Sequence, residues 1–141
     1  MARNEEFRHQ VGALPVRETA EGLEVCLVTT RETRRWTIPK GWPMPGRKDR
    51  EAAAIEALEE AGLVGKSRHK PLGAFLYWKR QPDHLELVRV KVFRLDVARQ
   101  LDTWKESAER QVAWFGIAAA AEAVSEPGLA AMIGALAPEA S

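Results

Sequence analysis

A single cysteine, Cys26, stands in the 141 residues, so no internal disulfide can form and a reducing cytoplasm suits the chain. It lies in the apolar run Leu23 to Val28, with neither a local base nor a second thiol, and reads as a small core hydrophobe. No apolar stretch approaches the roughly 20 residues of a membrane span. The opening Met-Ala-Arg-Asn-Glu-Glu likewise lacks the hydrophobic core of a signal peptide. The expectation is a soluble, cytoplasmic protein with no membrane partner. Neither charge sign dominates, the formal net charge being +1 with 29% charged residues. Nothing global therefore draws the chain to nucleic acid, and specificity for a polyanion must come from local clustering. His9, His69 and His84 are scattered without ligand spacing and read as surface residues.

What the chain does have is enough length for one ordinary domain with a real core, and a single domain over residues 1–141 is expected. Gln10 to Val16 and Leu23 to Thr30 are apolar or β-branched runs around the polar cluster Glu18 to Gly22, which reads as a hairpin. Arg35 to Ile38 is a short strand ended by Pro39, and Lys40 to Arg47, with two glycines and two prolines, reads as a loop. A helix opens at Asp49, an N-cap residue, and stops at Gly62. Its apolar face is expected at Ala54, Ala57, Leu58 and Ala61. Ala52 and Ala53 leave room beside Glu56. Gly73 to Trp78 and Leu87 to Val97 follow as strands, the second alternating Val88, Val90 and Val92 with Arg89, Lys91 and Arg94 in an imperfect period of two. A strand at Gln111 to Phe115 and helices near Ile117 to Val124 and from Pro127 to Leu136 complete a mixed α/β pattern.

The helix carries Glu56, Glu59 and Glu60, which fall within roughly 100° of arc because i, i+3 and i+4 are neighbours on a helix. Three carboxylates pointing one way repel, unless a divalent cation turns them into an oxygen cage. A Glu-rich face is more often plain solvated surface. Here a Gly/Pro-rich loop precedes it, a glycine stop follows it, and small residues surround it. The run from Gly41 to Glu56, Ala57, Glu59, Glu60, Gly62 and Leu63 resembles the Nudix box, G-x5-E-x7-R-E-U-x-E-E-x-G-U, where U is aliphatic. Two positions depart from the pattern: Arg47 stands where the box has its first Glu, and Ile55 where it has Arg. Those two family residues form a supporting ion pair. Both are replaced together here, which avoids stranding one buried charge at a cost of roughly 3 to 5 kcal/mol.

The resemblance implies a Nudix α/β/α sandwich and an enzyme that hydrolyses a phosphoanhydride in a nucleoside diphosphate-linked or polyphosphorylated small molecule. It further implies Mg²⁺ as cofactor, with Mn²⁺ able to stand in. Glu56, Glu60 and the Gly41 carbonyl would hold the metal, and Glu59 would act as base, although Glu56 and Glu59 can exchange roles. Lys40, Arg47 and Arg89 are the cations expected nearest the phosphates, with Arg17, Arg35 and Lys91 behind them and Trp42 exposed beside the substrate. Flanking segments resemble the branch that handles diphosphoinositol polyphosphates and dinucleoside polyphosphates. These are Gln10 to Arg17, Arg35-Trp36, Trp104-Lys105-Glu106, Trp114-Phe115 and Glu122-Ala123. Trp36, Trp78, Trp104 and Trp114 read more readily as packing or edge anchors than as base-stacking platforms. The competing reading is a Nudix-like domain that binds a phosphorylated ligand without hydrolysing it, a reading that Arg47 and Ile55 favour. No nucleic-acid partner is expected, and oligomeric state is not legible in the sequence.

Overall fold

The protein, described over residues 7–136 in a computed structural model, is an eight-stranded mixed sheet with helices on both faces. In chain order the elements are β1 (Arg8–Thr19), β2 (Gly22–Thr29), β3 (Trp36–Thr37), β4 (Lys40–Gly41), α1 (Asp49–Ala61) and β5 (Leu63–Ser67). They continue with β6 (Gly73–Arg80), β7 (Leu85–Gln100), β8 (Val112–Gly116), α2 (Ile117–Ala123) and α3 (Pro127–Gly134). The expected hairpin forms, with Thr19 opposite Gly22. The path of the sheet is β3-β2-β1-β7-β5, while β4 adds to β1, β6 to β7 and β8 to β2. β1 and β7 run parallel, residues 8–16 facing residues 88–96. This is the α/β/α sandwich that the resemblance implied, with α1 on one face and α2 and α3 on the other.

Two apolar layers hold it together. On the α2/α3 face, Leu14, Val25, Leu27, Ile38, Val88, Val90 and Val92 pack against Leu129 and Ile133. On the α1 face, Val11, Ala13, Cys26, Phe93 and Leu95 meet a row of alanines. Here the structure corrects the expected helix face: Ala52, Ala53, Ala57 and Ala61 are fully buried, whereas Leu58 is 38% exposed and Ala54 is only half-buried. Ala52 and Ala53 thus dock the helix on the sheet and do not open space beside Glu56. Alanine side chains let the helix backbone approach the strands closely, and that draws Glu60 inward with Ala57 and Ala61.

The helix ends largely as expected. Lys48 rather than Asp49 is the N-cap, and its backbone N–H donates to the Glu51 carboxylate at 3.0 Å. Gly62 takes φ +70°, and a Cβ there would run into the indole of Trp104, so glycine is required twice over. Two strands were not foreseen. Lys40–Gly41 pairs with β1, Val11 lying opposite Gly41, and Leu63–Ser67 pairs with the far end of β7 through a bulge at Val64/Gly65. Both are short or polar, below what alternation can signal. The basic stripe on β7 is also shorter than its spacing implied. Arg89 and Lys91 share the α1 face, which turns apolar at Phe93 and Leu95 where α1 covers it. Arg94 has the opposite parity, is buried, and pairs with Asp96 at 3.0 Å.

Candidate functional site

β4 and α1 meet at Gly41 and Glu56. A Cβ built on Gly41 would fall on the Glu56 carboxylate, 2.9 Å from Oε1 and nearer still to Oε2, so the absence of a side chain at position 41 seats that carboxylate. One turn further on, Glu60 is only 4% exposed. Burial pushes its carboxyl up to about 8, while Arg110 and Lys40 pull it down and Glu56 pushes it further up. Glu56 is raised as well, by burial first and by the charge of Glu59, against a hydrogen bond with the Glu60 carboxyl that works the other way. Glu59 points more openly, its side chain one-third exposed, with Lys105 Nζ at 3.7 Å. Glu60 is therefore buried while Glu56 and Glu59 are half-buried, and the three carboxylates do not share one solvated face. Among the described residues, no three acidic, His or Cys side chains converge closely enough to make a ligand cluster by themselves. The core of the site is the Glu56/Glu60 pair beside Gly41.

The last turn of α1 is clamped from outside by the segment after β7. Trp104 Nε1 donates to the Glu60 carbonyl at 3.1 Å, the Glu106 N–H to the Glu59 carbonyl at 3.0 Å, and the Leu101 N–H to the Gly62 carbonyl at 2.8 Å. Those carbonyls would otherwise be the unpaired acceptors of a helix C-terminus. The same segment delivers two groups that were not predicted as site residues, Glu106 and Arg110. Arg110 donates from Nε to Glu106 Oε1 at 2.7 Å and from Nη1 to the Thr29 carbonyl at 3.0 Å, and its Nη2 lies 3.6 Å from Glu60 Oε2. The sequence signals for them are the Trp104-Lys105-Glu106 resemblance and the four-residue spacing of Glu106 and Arg110; neither ties that pair to Glu60.

The predicted cations divide into two groups. Lys40 lies within the field of Glu60 and Glu126, its Nζ 4.7 Å from the Tyr77 ring, and burial lowers its affinity for the proton. Lys91 is bound to Asp49 at the start of α1 at 2.9 Å. Arg89 lies two positions before Lys91 on the same face of β7 and is half-buried. Arg47 is exposed in the loop before α1. Trp42 is 37% exposed and carries the Arg8 guanidinium over its ring at 4.5 Å. Arg35 is exposed, with Nε on Thr33 Oγ1 at 3.2 Å. Arg17 stands apart: five positions along β1 from the Gly12–Lys40 pair, roughly 17 Å at strand rise, it is paired with Glu24 at 2.8 Å and stacked 3.9 Å over Trp114.

Residues 6–134 match the family model for the NUDIX domain. The chain belongs to the Nudix family. Among curated Nudix relatives, it is 31% identical over 120 residues to Nudix hydrolase 21, chloroplastic, of Arabidopsis thaliana, covering 82% of this chain and 59% of that protein. It is 30% identical over 115 residues to human diphosphoinositol polyphosphate phosphohydrolase 3-alpha, covering 80% and 66%. The chain thus spans about three-fifths to two-thirds of the length of these relatives. The fold superposes on that of a C. elegans Ap4A hydrolase with a TM-score of 0.62 at 18% identity, over 91% of this chain and 94% of the other. It also superposes on a NUDIX hydrolase from Nitrosomonas europaea with a TM-score of 0.63 at 20% identity, over 91% and 86%. Nudix hydrolases generally use divalent metal ions. Among the described residues no helix is long and apolar enough to cross a membrane.

Proposed function

We propose that the protein is a Mg²⁺-dependent pyrophosphohydrolase, a single Nudix domain over residues 1–141, that cleaves a phosphoanhydride bond in a polyphosphorylated small molecule. The seat of Glu56 against Gly41, with Glu60 one turn away, carries this reading. One buried and one half-buried carboxylate with a glycine carbonyl suit Mg²⁺, which takes one or two carboxylates and leaves its other positions to water and substrate phosphate. Their raised proton affinity has the same cause: burial disfavours two negative charges side by side until a cation offsets them. When bound, Mg²⁺, or Mn²⁺ in its place, supplies Lewis-acid activation and charge neutralisation at the scissile phosphate.

The chain's own groups do the rest. Glu59, its side chain one-third exposed, takes the proton of the attacking water, and Glu56 is its alternate in that role. Lys40 sets a positive charge beside Glu60 on the sheet side. Arg47, Arg89 and Lys91 offer cations around the helix and its preceding loop for the remaining phosphates, and Arg35 offers one from the turn before β3, with Trp42 as an exposed flat surface for the rest of the substrate. Arg17 contacts only an extended substrate. The relatives' names make diphosphoinositol polyphosphates and dinucleoside polyphosphates the first classes to examine. A hydrolysis screen with Mg²⁺ over those two classes, nucleotide sugars and nucleoside triphosphates, with a chelator control, tests the reading. Chelator-sensitive turnover of one class supports it. Tight binding of a phosphorylated ligand with no turnover in any class would replace it with the non-catalytic, ligand-binding regulatory domain that Arg47 and Ile55 favour.

A further inference from the structure

We infer that Arg110 is the positioning residue of this site, doing from the segment between β7 and β8 what the missing ion pair would do from within the box; the inference rests on the metal-dependent reading above. Arg110 is 11% exposed and its three nitrogens reach three different parts of the chain: Nη1 the Thr29 carbonyl at the end of β2, Nε Glu106, and Nη2 Glu60. The side chains of Glu106 and Glu60 are themselves only 16% and 6% exposed, so the guanidinium is the common counter-charge of two nearly dry carboxylates. With Arg47 exposed and Ile55 in place of arginine, the box lacks the arginine that would stand beside its carboxylates. Arg110 supplies one, anchored to the β2 backbone.

The planar fork is what the arrangement needs. A lysine at position 110 keeps the charge but is a point donor on a flexible stem, and cannot address three oxygens from three segments at once. Because Arg110 repels a divalent cation by its charge and helps one only by orienting Glu60 and Glu106, removing its charge and removing its geometry act in opposite directions. Arg110→Lys isolates the geometry.

Titrate Mn²⁺ calorimetrically into the wild type, Arg110→Lys, Glu106→Gln and the double variant, and measure kcat and KM with Mg²⁺ on the best substrate from the screen. Arg110→Lys should weaken the Mn²⁺ Kd by about 10- to 100-fold, the range typical of lost ligand-orienting partners. It should lower kcat with KM changed by less than about 3-fold, since orientation of the carboxylates matters to the reacting state more than to substrate capture. In the Glu106→Gln background the same substitution should matter less, because part of what Arg110 orients is already gone. An Arg110→Lys protein that binds Mn²⁺ as the wild type does, or effects that simply multiply in the double variant, would overturn the inference. Intact coupling with no hydrolysis by the wild type would leave the inference standing and sink the proposed function, whereas a wild type that binds no Mn²⁺ would sink both.

Discussion

Replacing Glu60 by glutamine should make the metal-free protein more stable, and more so as pH rises. The Glu60 carboxyl lies at about 8 in the folded protein against an ordinary value of 4.5. The folded state therefore holds a proton that the unfolded chain has already released, and its advantage shrinks as pH climbs from the unfolded value through the folded one. The whole displacement is on the order of 5 kcal/mol, and the part lost between pH 6 and pH 9 is about 3 kcal/mol. Glutamine has the same shape, still offers Arg110 an oxygen, and has no charge to desolvate. In chelator, the melting temperature of Glu60→Gln relative to wild type should rise by about 10 °C between pH 6 and pH 9, at roughly 3 to 4 °C per kcal/mol for a domain of this size. Saturating Mg²⁺ should reverse the order, stabilising wild type by mass action and leaving the variant little changed. A melting difference that is flat with pH would show that Glu60 is not a strained carboxyl. The burial argument would then fail, whatever the enzyme assays say.

Other outcomes follow from the same geometry. Glu56→Gln and Glu59→Gln should each cut turnover by orders of magnitude with the fold intact by circular dichroism, and full activity in both would refute the roles given to them. Gly41→Ala puts a methyl on the Glu56 carboxylate and should abolish Mg²⁺-induced thermal stabilisation, while urea unfolding in chelator shifts by only about 1 to 3 kcal/mol. Ile55→Arg with Arg47→Glu should show a favourable coupling in stability of at least about 1 kcal/mol over the single changes; additive melting data would mean that positions 47 and 55 do not meet. If Lys40, Arg47 and Arg89 read phosphates, kcat/KM on the most highly charged substrates should fall steeply between low and physiological salt, and an equal, weak salt dependence across the panel would count against that.

The sequence made the scaffold legible where local chemistry was unambiguous. The hairpin announced itself through two apolar runs around a polar turn, and α1 through its glycine stop and first-turn acids. It misled where that chemistry was flat. With alanine at 52, 53, 54 and 57, nothing local says which edge of the helix meets the sheet, and the choice of Ala54 and Leu58 missed by about one residue of rotation. That small rotation is what buries Glu60 and leaves Glu59 half-exposed. Arg94 was grouped with Arg89 and Lys91 by sign of charge, although strand parity sends it to the opposite face. The Gly41, Glu56 and Glu60 association was legible because one motif contains all three. Arg110 was not, since its link to Glu60 exists only once the segment 101–110 has folded back over the end of the helix.

The parallel pairing of β1 with β7 also sets the order in which the site can come into being. Residues 8–16 find residues 88–96 only after everything between them has been made, and that intervening stretch contains β4, α1 and every residue of the box. Closing so long a loop is entropically slow compared with forming a local hairpin. Before closure, α1 is a short helix with a cluster of like charges and only half of the surface it will later dock on, since Phe93 and Leu95 lie on β7. Its clamp, from Leu101 to Arg110, comes later still. During synthesis the carboxylates thus emerge well before the strand that fixes them, and a nascent chain halted ahead of Leu85 carries the complete motif without the site.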